Sequence, residues 1–167
     1  MSTKGITATS TRTPAWNRIV RVAGQSMAPT YRSSDLLLIR PVGRRRARAQ
    51  RDDVVVFRHG DRRMIKRVVG LPGDLVELEA GRLFVNGESV DGRPRVRGAY
   101  TQTWRVPGAS YFMAGDNPAI SDDSRVWGEP FVPVENVEAV VTRPLVGPRR
   151  PRGLKPRRPV AAAGRVV

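Results

Sequence analysis

"DLVELEAGRLFVNGE", Asp74 to Glu88, alternates apolar and polar residues on either side of the turn "EAGR" and closes on a second turn, "NGE". Period-two alternation buries one face of an extended chain, and a short glycine-containing turn folds two such runs into a hairpin. The pattern recurs along the sequence. "RIVRV" (18–22), "DLLLIR" (35–40), "DVVVFR" (53–58), "MIKRVV" (64–69), "SYFMAG" (110–115) and "VEAVVTR" (137–143) are short, rich in Val, Ile, Leu and Phe, and bounded by Gly, Pro, Asp or Asn. Such segments form strands rather than helices, and "PGD" at Pro72 to Asp74 adds another tight turn. The prediction is an all-β core, a sheet with hairpins. "DGRPRVRGAYTQTWRVPGA" (91–109), with its Pro, Gly and Arg, is expected to be an extended loop or an excursion from the main sheet.

At 167 residues, 40% of them apolar, the chain can bury one core. Residues 1–15 are rich in Ser and Thr, lack periodicity and are expected to be a disordered arm. From Pro144 onward, "PLVGPRRPRGLKPRRPVAAAGRVV" combines Pro, Gly and Arg, and 144–167 is expected to be a basic disordered tail. The folded domain is then 16–143.

The formal net charge of +15 favours anionic partners such as nucleic acid, a lipid headgroup surface or acidic protein. Zero cysteines exclude disulfides, thiolate nucleophiles and Cys-based zinc sites, and a single histidine, His59, excludes a His-rich metal site. No metal and no cofactor are expected. His59, in "FRHGDRR", reads as a solvated turn residue without a catalytic role. Apolar runs such as "LLLI" and "VVVF" fall far below the roughly 18 residues of a spanning helix. The polar N-terminus has no apolar signal region either, so a cytoplasmic or peripherally membrane-associated chain is expected.

Three stretches can carry chemistry. In "VAGQSMAPTY" (22–31), Ser26 follows a strand, lies near Gly24 and is backed by Pro29. A serine in such a turn exposes its hydroxyl and leaves its backbone N–H free to donate toward an oxyanion. Taken alone the decapeptide reads as an ordinary turn serine, because short motif matches are often false. In "MIKRVVGLPGD" (64–74), strand alternation puts Lys66 on one face with Met64 and Val68, and Arg67 on the other with Ile65 and Val69. Desolvation on an apolar face lowers a lysine pKa and makes the amine a candidate base, although a strand lysine often snorkels to water instead. Arg67 reads as the solvated member of the pair and cannot act as the base. In "AGDNPAISDDSRVWG" (114–128), Asp, Asn, Ser and Gly cluster directly after an apolar strand, without the alternation of an EF-hand loop. There Asp123 and Arg125 can pair across the turn and lock its shape.

In this order, "GQSMAPTY", "DVVVFR", "IKRVVGLPGD", "LFVNGE" and "GDNPAISDDSRVWG" closely resemble the signal peptidase I family of serine proteases, over roughly Val20 to Thr142. The resemblance implies a serine–lysine dyad on an all-β scaffold, with Ser26 as nucleophile and Lys66 as general base. It also implies that Ser121 hydrogen-bonds the lysine, that Asp123 and Arg125 form a supporting ion pair, and that the Ser26 backbone N–H serves the oxyanion. The implied activity is endoproteolysis of N-terminal signal or leader peptides after small residues. The implied partners are leader-bearing proteins.

Departures from the family pattern are Gly24, where many relatives carry an oxyanion-hole serine, Pro118 in place of a polar or basic residue, and Asp52 in place of a glycine. The usual N-terminal membrane anchor is missing before Ser26, which suggests an anchorless member or an anchor encoded upstream. Soluble relatives that mature nickel-type superoxide dismutase by removing a leader give an alternative within the family. Self-cleaving repressors share the dyad but need an N-terminal DNA-binding domain, for which the residues before Ser26 leave no room. From another class, a basic all-β nucleic-acid-binding module would fit the charge, yet Trp16, Trp104 and Trp127 are not interleaved with the basic runs. Nucleic acid is therefore not the expected partner; the tail "PRRPRGLKPRRP" suits peripheral contact with an anionic membrane instead.

Overall fold

The computed structural model describes residues 18–43, 48–95, 100–146 and 163–166. All elements assigned among them are strands apart from one short 3-10 turn: β1 (Arg18–Val22), β2 (Leu36–Pro41), β3 (Val54–His59), β4 (Arg62–Gly70), β5 (Leu75–Glu79), β6 (Arg82–Val85), β7 (Glu88–Ser89), β8 (Thr101–Arg105), β9 (Ser110–Ala114), β10 (Phe131–Pro133), β11 (Val137–Val146) and β12 (Ala163–Val166). The fold is all-β. Eight strands form one sheet in the order β10-β9-β4-β3-β11-β2-β1-β12, and four form a second in the order β7-β6-β5-β8.

The decisive hairpin is β5–β6, in register from Val76 opposite Val85 to Glu79 opposite Arg82. Its two turn residues, Ala80 and Gly81, both take positive φ (48° and 76°), as do Asn86 and Gly87 (51° and 85°) between β6 and β7. Two consecutive left-handed residues give the mirror-image turn whose twist matches that of paired strands. The 91–109 stretch leaves the main sheet: β8 pairs with the free side of β5, Val76 opposite Trp104.

In the large sheet, β3 and β4 are central and covered on both faces, which is why "VVVF" reads as a continuous apolar run. Val54, Val56 and Ile65 join one core cluster with Val20, Val22, Met27, Leu37 and Ile39. Val55, Phe57, Met64 and Val68 join another with Tyr111, Met113 and Val140. A third cluster, Val69, Val76, Leu83, Val85, Val106, Phe112 and Ala114, fastens the two sheets together. Gly70 lies in that joint; a Cβ there would stand 2.8 Å from Val76 Cγ2 and 2.9 Å from Phe112 Cβ.

The chain beyond Pro144 differs from the expected tail where it is described. β11 runs on through Val146, with Pro144 opposite Leu37 and Val146 opposite Leu36, and Ala163–Val166 pair in parallel with β1. Beyond Val140, β11 keeps β2 as a neighbour but has left its register with β3. A proline fits such a one-sided position because its missing N–H need not enter a second ladder. The remainder of the tail and the arm expected at 1–15 lie outside the described residues.

Candidate active site

Ser26 leaves the end of β1 in a tight loop. Gly24 takes φ +85°, a left-handed conformation that suits glycine. Ala28 N–H donates to Gln25 C=O (3.0 Å) and Tyr31 N–H to Met27 C=O (2.8 Å), while Met27 is fully buried and pins the loop to the first core cluster. The loop is also held from the far side of the sequence. Asn117 N–H donates to Ser26 C=O (3.0 Å), and Thr30 Oγ1 donates to the Asp116 carboxylate. Among the described residues no acceptor takes the Ser26 N–H.

Lys66 lies in the middle of β4, opposite Val55 and on the face of Met64 and Val68. It is only 1% exposed, and its Nζ sits 2.8 Å from Ser26 Oγ. Burial is the largest influence on the amine and lowers its pKa; Asp123 and Asp122 pull it back up, Arg62 and Arg125 push it down, and the balance stands at about 8. The ammonium donates to Ser26 Oγ, and once it deprotonates the bond reverses, with the hydroxyl donating to the amine lone pair. An amine whose neutral form becomes accessible at about pH 8 and not at the ordinary lysine value, in contact with a serine hydroxyl, is the arrangement a general base requires.

The 114–128 loop builds the third wall. Asp123, fully buried, accepts from Gly115 N–H (2.8 Å), from Arg125 Nε (2.8 Å) and Nη2, and from Ser121 Oγ. Burial by itself would raise the Asp123 pKa, but the bonds from Arg125, Gly115 and Ser121 outweigh it and hold the carboxyl below its ordinary value. Ser124, also fully buried, donates nothing to this set; its Oγ accepts from Met113 N–H (2.8 Å) and ties the loop to β9. The Asp123–Arg125 pairing thus has the geometry the sequence suggests. Ser121 does not: its hydroxyl goes to Asp123 and not to Lys66. As a donor the Ser121 hydroxyl takes the carboxylate, a charge-assisted bond, while Lys66 Nζ donates to Ser26 Oγ.

Several neighbours differ from their sequence reading. Arg67 is not solvated. Its Nε lies 2.8 Å from Asp116 Oδ1, Nη2 pairs with Oδ2, and Nη1 donates to Asp52 C=O (2.8 Å). The guanidinium finds a carboxylate beside the Ser26 loop and so stays on the second face of β4. Asp52 takes φ 69°, the backbone conformation for which a glycine is the usual choice and which Asp tolerates better than most residues. His59 is not a freely solvated loop residue: it ends β3 and stacks on Trp127 (3.8 Å, 13°). Trp127 Nε1 donates to Asp122 Oδ1 (2.7 Å), and Asp122 Oδ2 accepts from Arg62 Nη1 (2.7 Å).

Gly115 and Asp116 are the positions the sequence reading did not single out. A Cβ on Gly115 would clash with Ser121 Oγ and stand 2.5 Å from the Ser26 carbonyl oxygen, so the Ser26 loop and the third wall meet only because this residue has no side chain. Its place immediately after the apolar "YFMA" is the one available signal. Asp116 has none, since its partner Arg67 is remote in sequence.

Residues 5–146 match the family described as signal peptidase, peptidase S26. Signal peptidase I V of Bacillus subtilis is 35% identical over 125 residues, covering 65% of this chain and 74% of that protein. Signal peptidase I of Pseudomonas aeruginosa is 31% identical over 177 residues, covering 76% of this chain and 61% of its own length, so the chain spans less than two thirds of that relative. A crystal structure of a signal peptidase I from Enterococcus faecalis V583 is similar over 57% of this chain and 98% of that one, at 34% identity and a TM-score of 0.45. The family match takes in Ser26, Lys66 and the whole 114–128 loop, and with it the greater part of the sequence: the chain belongs to the signal peptidase family of peptidases, peptidase S26.

Proposed function

We propose that the chain is a serine endopeptidase that removes N-terminal signal or leader peptides after small residues, with Ser26 as nucleophile and Lys66 as general base. The observation that carries this reading is the 2.8 Å contact between a buried lysine amine and Ser26 Oγ. Neutral Lys66 takes the hydroxyl proton as Oγ attacks the scissile carbonyl, and the Ser26 N–H donates to the oxyanion that develops. The protonated amine then gives its proton to the leaving nitrogen. Water, activated by the same amine, releases the acyl group from Ser26. Asp123, charged and held by Arg125, Gly115 and Ser121, keeps the third wall in place and steadies the ammonium after proton transfer. Ser121, Asp123 and Arg125 are thus positioning residues. The substrates are proteins that bear a signal peptide. The basic surface gives the enzyme peripheral contact with anionic lipid, where such substrates emerge.

The test is cleavage of a leader-bearing precursor by the purified chain and by Ser26→Ala and Lys66→Ala. Each substitution is expected to lower kcat by about 10³-fold or more with folding retained, because the two groups act as one unit. Cleavage that persists in Ser26→Ala would overturn the assignment.

A further inference from the structure

β1 feeds directly into the loop that carries Ser26, and its outer edge is occupied. β12 lies along it in parallel, Ala163 opposite Ile19 and Val166 opposite Val22, and also lies against β4, the strand of Lys66. One four-residue stretch of backbone therefore flanks both strands that carry the dyad. Without β12, β1 would end the sheet and present a row of unpaired N–H and C=O groups, which is a template for any extended peptide. A polypeptide to be cut at Ser26 must approach in extended form, and the edge that leads along the sheet to Ser26 is that of β1.

We infer that β12 fills, in the resting chain, the outer edge of β1 that leads to Ser26, and that a substrate segment displaces β12 to reach Ser26. The inference rests on the dyad proposed above. Direction and register support occupancy without cleavage. β12 runs the same way as β1, toward the nucleophile, as the leader portion of a substrate would. The small-residue run Ala161–Ala163 is what the proposed specificity asks for, yet the register holds Ala163 at Ile19, at the end of β1 remote from Ser26. β12 thus covers the edge while Ala163 stays at the end of β1 remote from Ser26. Strand addition gives affinity through main-chain bonds alone, so a short segment binds weakly; tethering raises its local concentration to the order of millimolar and makes occupancy the resting condition.

The full chain carrying Gly164→Pro with Arg165→Pro tests this. Successive N–H groups point to opposite sides of a strand, so one of the two prolines must remove a bond to β1. With a fluorogenic leader peptide ending in Ala-x-Ala, the variant is expected to show a KM lower by roughly two- to tenfold at unchanged kcat. Free peptide VAAAGRVV (160–167) should raise that KM again as a competitive inhibitor. Equal KM values and no inhibition by the peptide would overturn the inference. Binding of a labelled leader peptide in the Ser26→Ala background separates the two readings. Tighter binding by the double-proline variant, with no chain cleaving anything, sinks the dyad and keeps the docking edge. Ser26-dependent cleavage with unmoved KM and binding does the reverse. Should the double variant fail to fold, amide exchange at Ala163–Val166 in full-length Ser26→Ala decides: faster exchange under saturating leader peptide supports displacement, and unchanged protection overturns it.

Discussion

Lys66 has to solve a problem of charge with very few neighbours. An ordinary lysine is protonated at neutral pH and has no lone pair to offer; here burial opposite Val55 lowers its pKa, and two carboxylates are kept close enough to steady the ammonium without restoring the ordinary value. Asp123 is spent largely on Arg125, Gly115 N–H and Ser121 Oγ, which limits its pull on the amine. The geometry is close enough that Gly115 cannot carry a side chain. Gly115→Ala is expected to push Ser121 and the Ser26 carbonyl apart, costing about 1–3 kcal/mol of stability from overpacking and about 10²-fold in kcat from misplacement of Oγ. Chemical denaturation and steady-state kinetics read the two effects separately, and a variant with normal kcat would show that the contact does not position the nucleophile.

At the level of elements, the site is three segments clamped around β4. Arg67 and Thr30 both bind Asp116, fixing the nucleophile loop to the strand, and Asn117 N–H holds the Ser26 carbonyl. On the other side, Arg62 and the stacked His59–Trp127 pair hold Asp122 and fasten the β3–β4 hairpin to the 114–128 loop. Arg62 and Asp122 act on Lys66 with opposite sign. Arg62→Gln leaves Asp122 unopposed and should move the acid limb of the pH–kcat profile upward, whereas Asp122→Asn should move it downward. Shifts of the same sign in both would contradict this account. Much of this level was legible in the sequence. The eight apolar segments all became strands, because alternation and turn residues such as Ala80–Gly81 and Asn86–Gly87 act locally. What was not legible depends on partners remote along the chain. Arg67 reads as solvated because nothing near it in the sequence announces Asp116, and the resemblance implies a Ser121–Lys66 bond where the structure has the Ser121 hydroxyl donating to Asp123, two residues away. β12 was hidden for a related reason: its short sequence earns no strand by itself and pairs only because β1 offers an edge.

The whole molecule joins a two-faced sheet that holds the dyad to a smaller sheet that holds none of it, through the cluster around Val69, Val76 and Phe112. No helix among the described residues is long and apolar enough to cross a membrane. The proposed contact with anionic lipid rests on the net charge of +15. Co-sedimentation with vesicles containing phosphatidylserine is expected at low salt and should fall steeply as the Debye length shrinks from about 30 Å at 0.01 M to about 3 Å at 1 M; binding indifferent to salt would argue against an electrostatic contact. All of this architecture converges on a single amine. The direct test is to titrate Lys66 by NMR, with its side chain isotopically labelled in the intact protein, and to compare that curve with the pH dependence of kcat. The account predicts a midpoint of about 8 for the amine, with kcat rising through the same pH as the neutral form accumulates. A midpoint at the ordinary lysine value, or a kcat profile that ignores it, would contradict the account.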